Sequence, residues 1–330
     1  CLFFREINEM SREMNNFTLG TIFFLMGFSE VREIQILHAV LFLVIYLAAL
    51  LGNLLIIFLI SKDHRLHTPM YYFLKNLSFL DLCCISITVP KSITNSLTNH
   101  NTISFLGCIS QVFFFFFLAS TEVALLTVMS YDRYVAICHP LQYEVIMNHR
   151  ACVQMAASSW VSGGLSAVVH TAATFSVPMC GSLLVHQFFC DVPQLLSLSC
   201  SYNFGELVII GLNFVLDIVC FVFIDISYIN IFSTVLRMPS RESRSKAFST
   251  CLPHLFIVTL FLSSGIFAYL RPLPKSPSDL DLLVSVFYTI VPPTMNPLIY
   301  SLRNKNMKTA LRKLLMNRYC HSPWKRCGQM

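Results

Sequence analysis

Seven long apolar stretches recur along the chain, at 37–60, 70–94, 105–131, 151–172, 204–236, 246–270 and 280–302. The third is the plainest: from Phe105 to Met129 there is no Lys, Arg or Asp and a single Glu. At roughly 1.5 Å per residue, about 20 such residues in a helix cross a hydrocarbon layer about 30 Å thick. Lipid offers no hydrogen bonds, so each span must satisfy its own backbone, and an α-helix does so. A chain that is 55% hydrophobic and 12% charged, with mean hydropathy +0.65, has far too little polar surface for one soluble domain. The sequence predicts an all-α membrane protein built as a bundle of seven transmembrane helices.

Charge then orients the bundle. The short links at 61–69 and 237–245 make their flanking helices antiparallel, while 173–203 is a long loop. With the N-terminus outside, 17 of the 23 Lys and Arg residues fall on the cytoplasmic side and 6 on the other, so an N-out, C-in arrangement is expected. The chain divides accordingly into an extracellular segment, 1–36, the bundle, 37–302, and a cytoplasmic tail, 303–330. In that tail Met307, Leu311, Leu314 and Leu315 recur at helical spacing among basic residues, which predicts a short amphipathic helix on an anionic leaflet. Cys320 beyond it is a candidate for palmitoylation. Asn16-Phe17-Thr18 is a glycosylation sequon on the expected outer side. Cys1 to Ser29 shows no signal-peptide pattern, and Met10 and Met14 make residues 1–13 readable as an extension upstream of the true start.

Several function classes drop out. The net charge of +6 is not gathered on a basic module of the kind that binds nucleic acid. No loop carries a metal-spaced His/Cys set, a phosphate loop or a nucleophile motif, so no enzyme is expected. Of the thirteen cysteines, Cys83, Cys84, Cys138, Cys152, Cys220 and Cys251 lie in or at spans, where they read as small apolar side chains. Cys108, Cys180, Cys190 and Cys200 lie outside the bilayer and imply two disulfides, with three pairings open.

The polar residues within the spans are costly in hydrocarbon and point to function: Asn53, Asp81, Glu122 and Asn296. If Asp81 and Glu122 face each other, their like charge calls for a shared proton or a cation such as sodium. A proton-coupled carrier using the two as a relay is one reading, but no span repeats another, as inverted-repeat carriers require. In span 7, Pro292, Pro293 and Pro297 free backbone carbonyls and permit a kink.

Two signatures are more specific. Asp132-Arg133-Tyr134 closes span 3, and Asn296-Pro297-Leu298-Ile299-Tyr300 lies in span 7. With Gly52-Asn53 and Asp81, they resemble the motifs of rhodopsin-like (class A) G-protein-coupled receptors. Leu66 to Tyr71, Met129 to Tyr143, Ser227-Tyr228, Lys246 to Cys251 and Pro292 to Asn304 are similar to the olfactory (odorant) receptor family, tetrapod-type class II branch.

The resemblance implies that Asp132 holds Arg133 at rest, that Arg133 turns to the G protein when the bundle opens, and that Tyr228 and Tyr300 support the opened state. It implies a polar core of Asn53, Asp81, Glu122 and Asn296, and disulfides Cys108–Cys190 and Cys180–Cys200. Its implied pocket is Phe115, Phe116, Ala119 and Ser120 from span 3 and Leu212, Asn213 and Leu216 from span 5. Leu262, Gly265, Ile266 and Tyr269 from span 6, with Val286 and Thr289 from span 7, complete it. Such a lining suits a small, mostly apolar volatile ligand. The expected partners are that odorant and a stimulatory, olfactory-type G protein at the plasma membrane. Leu262 stands where the family more often has Tyr, and Pro253 where it often has Ser. Asp217 and Asp225 are unusual acids, and Asp217 lies four residues from Asn213, which suggests a ligand with a basic or donating group. A retinal pigment is excluded because span 7 has no Lys between Lys275 and Lys305. A biogenic-amine receptor lacks support because the outer half of span 3 has no Asp.

Overall fold

The computed structural model describes residues 22–29, 31–98, 100–177, 179, 183–199, 204–270, 279–303 and 305–320. Seven long helices form the bundle: α1, Arg32–Lys62; α2, Pro69–Thr98; α3, Phe105–Cys138; α4, His149–Ser176; α5, Phe204–Arg237; α6, Arg241–Leu270; and α7, Asp279–Arg303. Each is long and apolar enough to span a bilayer. An eighth, α8, Lys305–Cys320, follows α7 after one residue and buries Met307 and Ala310 on its apolar side.

The helices outrun their apolar stretches because their ends are capped. Ser104 accepts from the Gly107 amide to start α3, and Asn148 accepts from the Ala151 amide to start α4. Arg32 at the head of α1 donates to the Ser96 and Leu97 carbonyls at 2.8 and 2.6 Å, occupying acceptors that the end of α2 leaves free.

One end of the bundle carries a small sheet that hydropathy does not announce. Strand β1, Ile22–Leu25, lies between β2, Thr102–Ser104, and β3, Leu184–Val185. It runs antiparallel to β2, with Phe23 opposite Ile103, and parallel to β3, with Phe24 opposite Leu184. Alternation buries Phe23 and Leu25 against Ile103, Val112, Val185 and Leu195. The Cys108–Cys190 disulfide sits in that cluster and ties the loop after α4 to the head of α3.

The main core lies at the opposite end, where Leu74, Leu77, Leu80, Leu125, Leu126 and Ile231 are buried together. There α4 closes on α3 at Gly163: a Cβ built there would stand 2.0 Å from Thr121 Oγ1 and 2.8 Å from the Phe117 carbonyl. Trp160, one turn earlier, donates to Asn76 of α2 at 3.2 Å.

Candidate functional site

Three groups of side chains lie along the bundle axis. At the sheet-bearing end, Phe115 stands 5.6 Å from Phe189 and 6.1 Å from Tyr288, ring centre to ring centre. Phe188, Phe189 and Tyr288 are buried with Leu282 in one cluster. Tyr288 of α7 donates to Asp191, the residue after Cys190, and a second Asp191 oxygen accepts from the Val192 amide. Gln111 of α3 accepts from the Cys190 amide at 2.8 Å and donates to the Ile87 carbonyl of α2 at 3.1 Å. The loop is thus fixed to α3 and α7, and α3 in turn to α2, over a largely aromatic lining.

Other expected pocket residues have further partners. Phe116 stacks on His170 of α4 at 4.4 Å, and Ser120 donates to Ser166 of α4 at 3.2 Å. Ala119 is half-buried, and Thr289 is buried and spends its hydroxyl on the Ser285 carbonyl. Val286 packs with both Phe42 and Phe188 clusters, and Leu262 packs against the main core. A Cβ at Gly265 would meet nothing within 4 Å. Leu212 and Leu216 are 60% and 61% exposed, and Asp217 and Asp225 are exposed too. The side chains of Asn213, Ile266 and Tyr269 lie outside the described residues, as do Asn16, Cys180 and Cys200.

Midway along the axis, Asn296 donates to both oxygens of Asp81, at 2.9 and 3.1 Å, and reaches Glu122 at 3.5 Å. All three are buried. Asn53 does not join them. Proline at 297 has no amide hydrogen to offer the carbonyl four residues back, which is that of Pro293. Asn53 donates to that carbonyl at 3.0 Å, replacing the lost helical bond, and also to the Ala49 carbonyl at 3.1 Å. Gly52 lets the proline come in: a Cβ there would lie 3.0 Å from Pro297 Cβ. Gly52 and Asn53 together are therefore a seat for Pro297.

At the far end, Arg133 lies 3.2 Å from Asp132, whose carboxylate also accepts from Tyr143 at 2.7 Å. Tyr143 begins the one-turn helix Tyr143–Ile146 in the link to α4. Burial, then the Asp132 charge, pushes its hydroxyl well above the usual tyrosine range, so it stays a donor. Tyr134 turns outward to His139 at 3.0 Å. Tyr228 of α5 pairs with the buried His254 of α6 at 2.6 Å, a partner that no local pattern marks. The Tyr300 side chain lies outside the described residues.

With this geometry in place, the family model described as "Olfactory receptor" matches residues 42–318. The chain belongs to the olfactory receptor family. It is 61% identical to human Olfactory receptor 14A16 over 303 residues, 92% of this chain and 98% of that one. Human Olfactory receptor 14J1 is 59% identical over 303 residues, 92% and 94% of the two chains. Among solved structures, squid rhodopsin superposes with a TM-score of 0.68 over 87% of this chain and 86% of its own, at 19% identity, which shows the shared fold. This olfactory receptor is therefore a multi-pass plasma-membrane G-protein-coupled receptor and not an enzyme. Its clearest additions to the residues read from sequence are Asp191, Tyr288, Gln111 and His254. Each is a polar residue whose partner is far away in the chain, so no local pattern marks it.

Proposed function

We propose that this odorant receptor binds a small, mostly apolar volatile compound beneath the Cys190 loop and activates a stimulatory, olfactory-type heterotrimeric G protein, raising cyclic AMP. The N-terminus lies outside and Arg133 faces the cytoplasm. The observation that carries the reading is the closed Arg133 end: Asp132 engages Arg133 and is itself held by Tyr143, while Tyr228 bonds α5 to α6 through His254. A ligand that prefers a bundle with these contacts broken shifts the population towards it. The Phe115, Phe189 and Tyr288 lining, with Asp191 as one of few polar groups, supports an apolar ligand of modest size.

The Asp81 and Glu122 pair supports a sodium ion or a proton as a modulator. Both carboxylates share one Asn296 amide, and Asn296 Oδ1 and Asn53 Oδ1 find no hydrogen-bond partner among the described residues.

The test is a cyclic AMP assay in cells that display the receptor, across a panel of volatile compounds, with calcium release and cyclic AMP inhibition read in parallel. A ligand-evoked rise in cyclic AMP supports the reading. A response only in the parallel channels would replace the stimulatory G protein with another.

A further inference from the structure

Four buried side-chain atoms towards the sheet-bearing end find no hydrogen-bond partner among the described residues: Thr88 Oγ1 and Asn95 Oδ1 of α2, His38 Nδ1 of α1 and Gln187 Oε1 of the Cys190 loop. Thr88, Asn95 and Gln187 are only 1%, 4% and 7% exposed. Folded proteins seldom leave such groups bare, because each gives up water on burial and gains nothing in return.

The fold gathers the four at one corner. Asp81, Thr88 and Asn95 are spaced by seven residues, and a straight helix drifts by only about 20° over that interval. The polar line that begins at the Asn296 site therefore continues along α2 towards the loop. Val89, next to Thr88, is buried with Phe42 of α1, and Phe28 packs against that cluster. Phe28 lies 5.1 Å from the His38 ring and 5.4 Å from the ring of Phe188, which follows Gln187. Above them Arg32 of α1 donates to the Ser96 and Leu97 carbonyls, just past Asn95. Phe188 is also 5.0 Å from Phe189, so the corner is continuous with the aromatic lining.

The chemistry of the corner selects its partner. The two amide oxygens can only accept, and the Thr88 hydroxyl and the His38 nitrogen can each accept as well. The complementary group is a donor. A ketone, ester or ether brings only acceptors, and a cation would stand beside the Arg32 guanidinium. A neutral hydroxyl meets both conditions, and Phe28, Phe42 and Phe188 offer its carbon chain an apolar wall.

We propose that this corner is a second binding subsite, which takes the hydroxyl group of an aliphatic alcohol through Thr88, Asn95 and Gln187. It is distinct from the Phe115, Phe189 and Tyr288 lining, and its occupation does not depend on which G protein is engaged.

The experiment is photolabelling of the whole receptor in nanodiscs with a diazirine-bearing octanol, the labelled residues being located by mass spectrometry. Competition by 1-octanol is compared with competition by methyl octyl ether, which keeps the oxygen and lacks the donor. In the wild type the label should fall on the α1 and α2 corner, 1-octanol should displace it saturably, and the ether should compete about tenfold less well. Thr88→Val and Asn95→Leu keep side-chain shape and remove an orphaned group. Each should weaken competition by 1-octanol about tenfold while leaving the melting temperature of the ligand-free receptor unchanged or higher. Thr94→Val, on an exposed face of α2, is the control and should match the wild type. Gln187→Met on the loop serves if either α2 variant does not fold. Label confined to the Phe115, Phe189 and Tyr288 lining would overturn the second subsite and leave the odorant reading standing. Equal competition by the ether would overturn the role of the donor. A lowered melting temperature in both α2 variants, with competition unchanged, would make the polar line structural and overturn the proposal.

Discussion

Asn296 of α7 and Asp81 of α2, 215 residues apart in the chain, are joined by two hydrogen bonds from one side-chain amide. That amide also reaches Glu122, so α2, α3 and α7 converge on a single donor. Replacing it exposes two buried carboxylates to each other. Asn296→Ala should cost about 2–3 kcal/mol, read as a lower melting temperature of the receptor in nanodiscs. Adding Asp81→Asn removes one charge and should restore part of the loss. Additive losses from the two substitutions would mean that the carboxylates do not share the donor.

Gly163 should tolerate nothing larger. Gly163→Ala places a methyl group against Thr121 and the Phe117 carbonyl of α3 and should destabilise by about 1–3 kcal/mol, with surface display reduced to match. Gly211→Ala is the control, because its Cβ would meet nothing within 4 Å. Equal display of the two variants would contradict the close approach of α4 to α3.

Tyr143 steadies the carboxylate that holds Arg133. Tyr143→Phe removes a hydrogen bond to a charged group worth about 1.5–3 kcal/mol, and should raise ligand-free nucleotide exchange several-fold while leaving ligand ranking unchanged. Basal exchange at the wild-type level would show that Tyr143 serves packing alone.

The Cys108–Cys190 bridge closes a separation of 82 residues and anchors the loop that carries Phe188, Phe189 and Asp191. Cys190→Ser should cost about 2–5 kcal/mol and abolish surface display at 37 °C. Tyr288→Phe, which removes only the bond to Asp191, should leave display intact and weaken ligand potency.

How far the sequence could be read depended on the range of each interaction. The spans were legible because a bilayer selects on the sum of some twenty side chains, and that sum survives ignorance of every contact. The Asp132 and Asn296 motifs were legible because their residues are adjacent in the chain. Distance was the obstacle elsewhere. Phe116 and Ser120 sit beside Phe115 and Ala119 in sequence, and their neighbours His170 and Ser166 lie on α4, more than 40 residues away, which no local pattern shows. The strands Ile22–Leu25, Thr102–Ser104 and Leu184–Val185 are too short to show alternation, and their pairing is set by the disulfide and the aromatic cluster beneath them. Asn53 was placed in the polar core by the family resemblance, and no local pattern showed that its amide serves the carbonyl left bare by Pro297.

The most direct test of the account is agonist-driven nucleotide exchange on a purified stimulatory G protein, comparing the wild type with Arg133→Ala at matched receptor levels in nanodiscs. Exchange that the ligand accelerates in the wild type and not in Arg133→Ala, with ligand binding retained by both, is the predicted result. Equal acceleration in both would contradict the assignment of the Asp132 and Arg133 end as the surface that couples to the G protein.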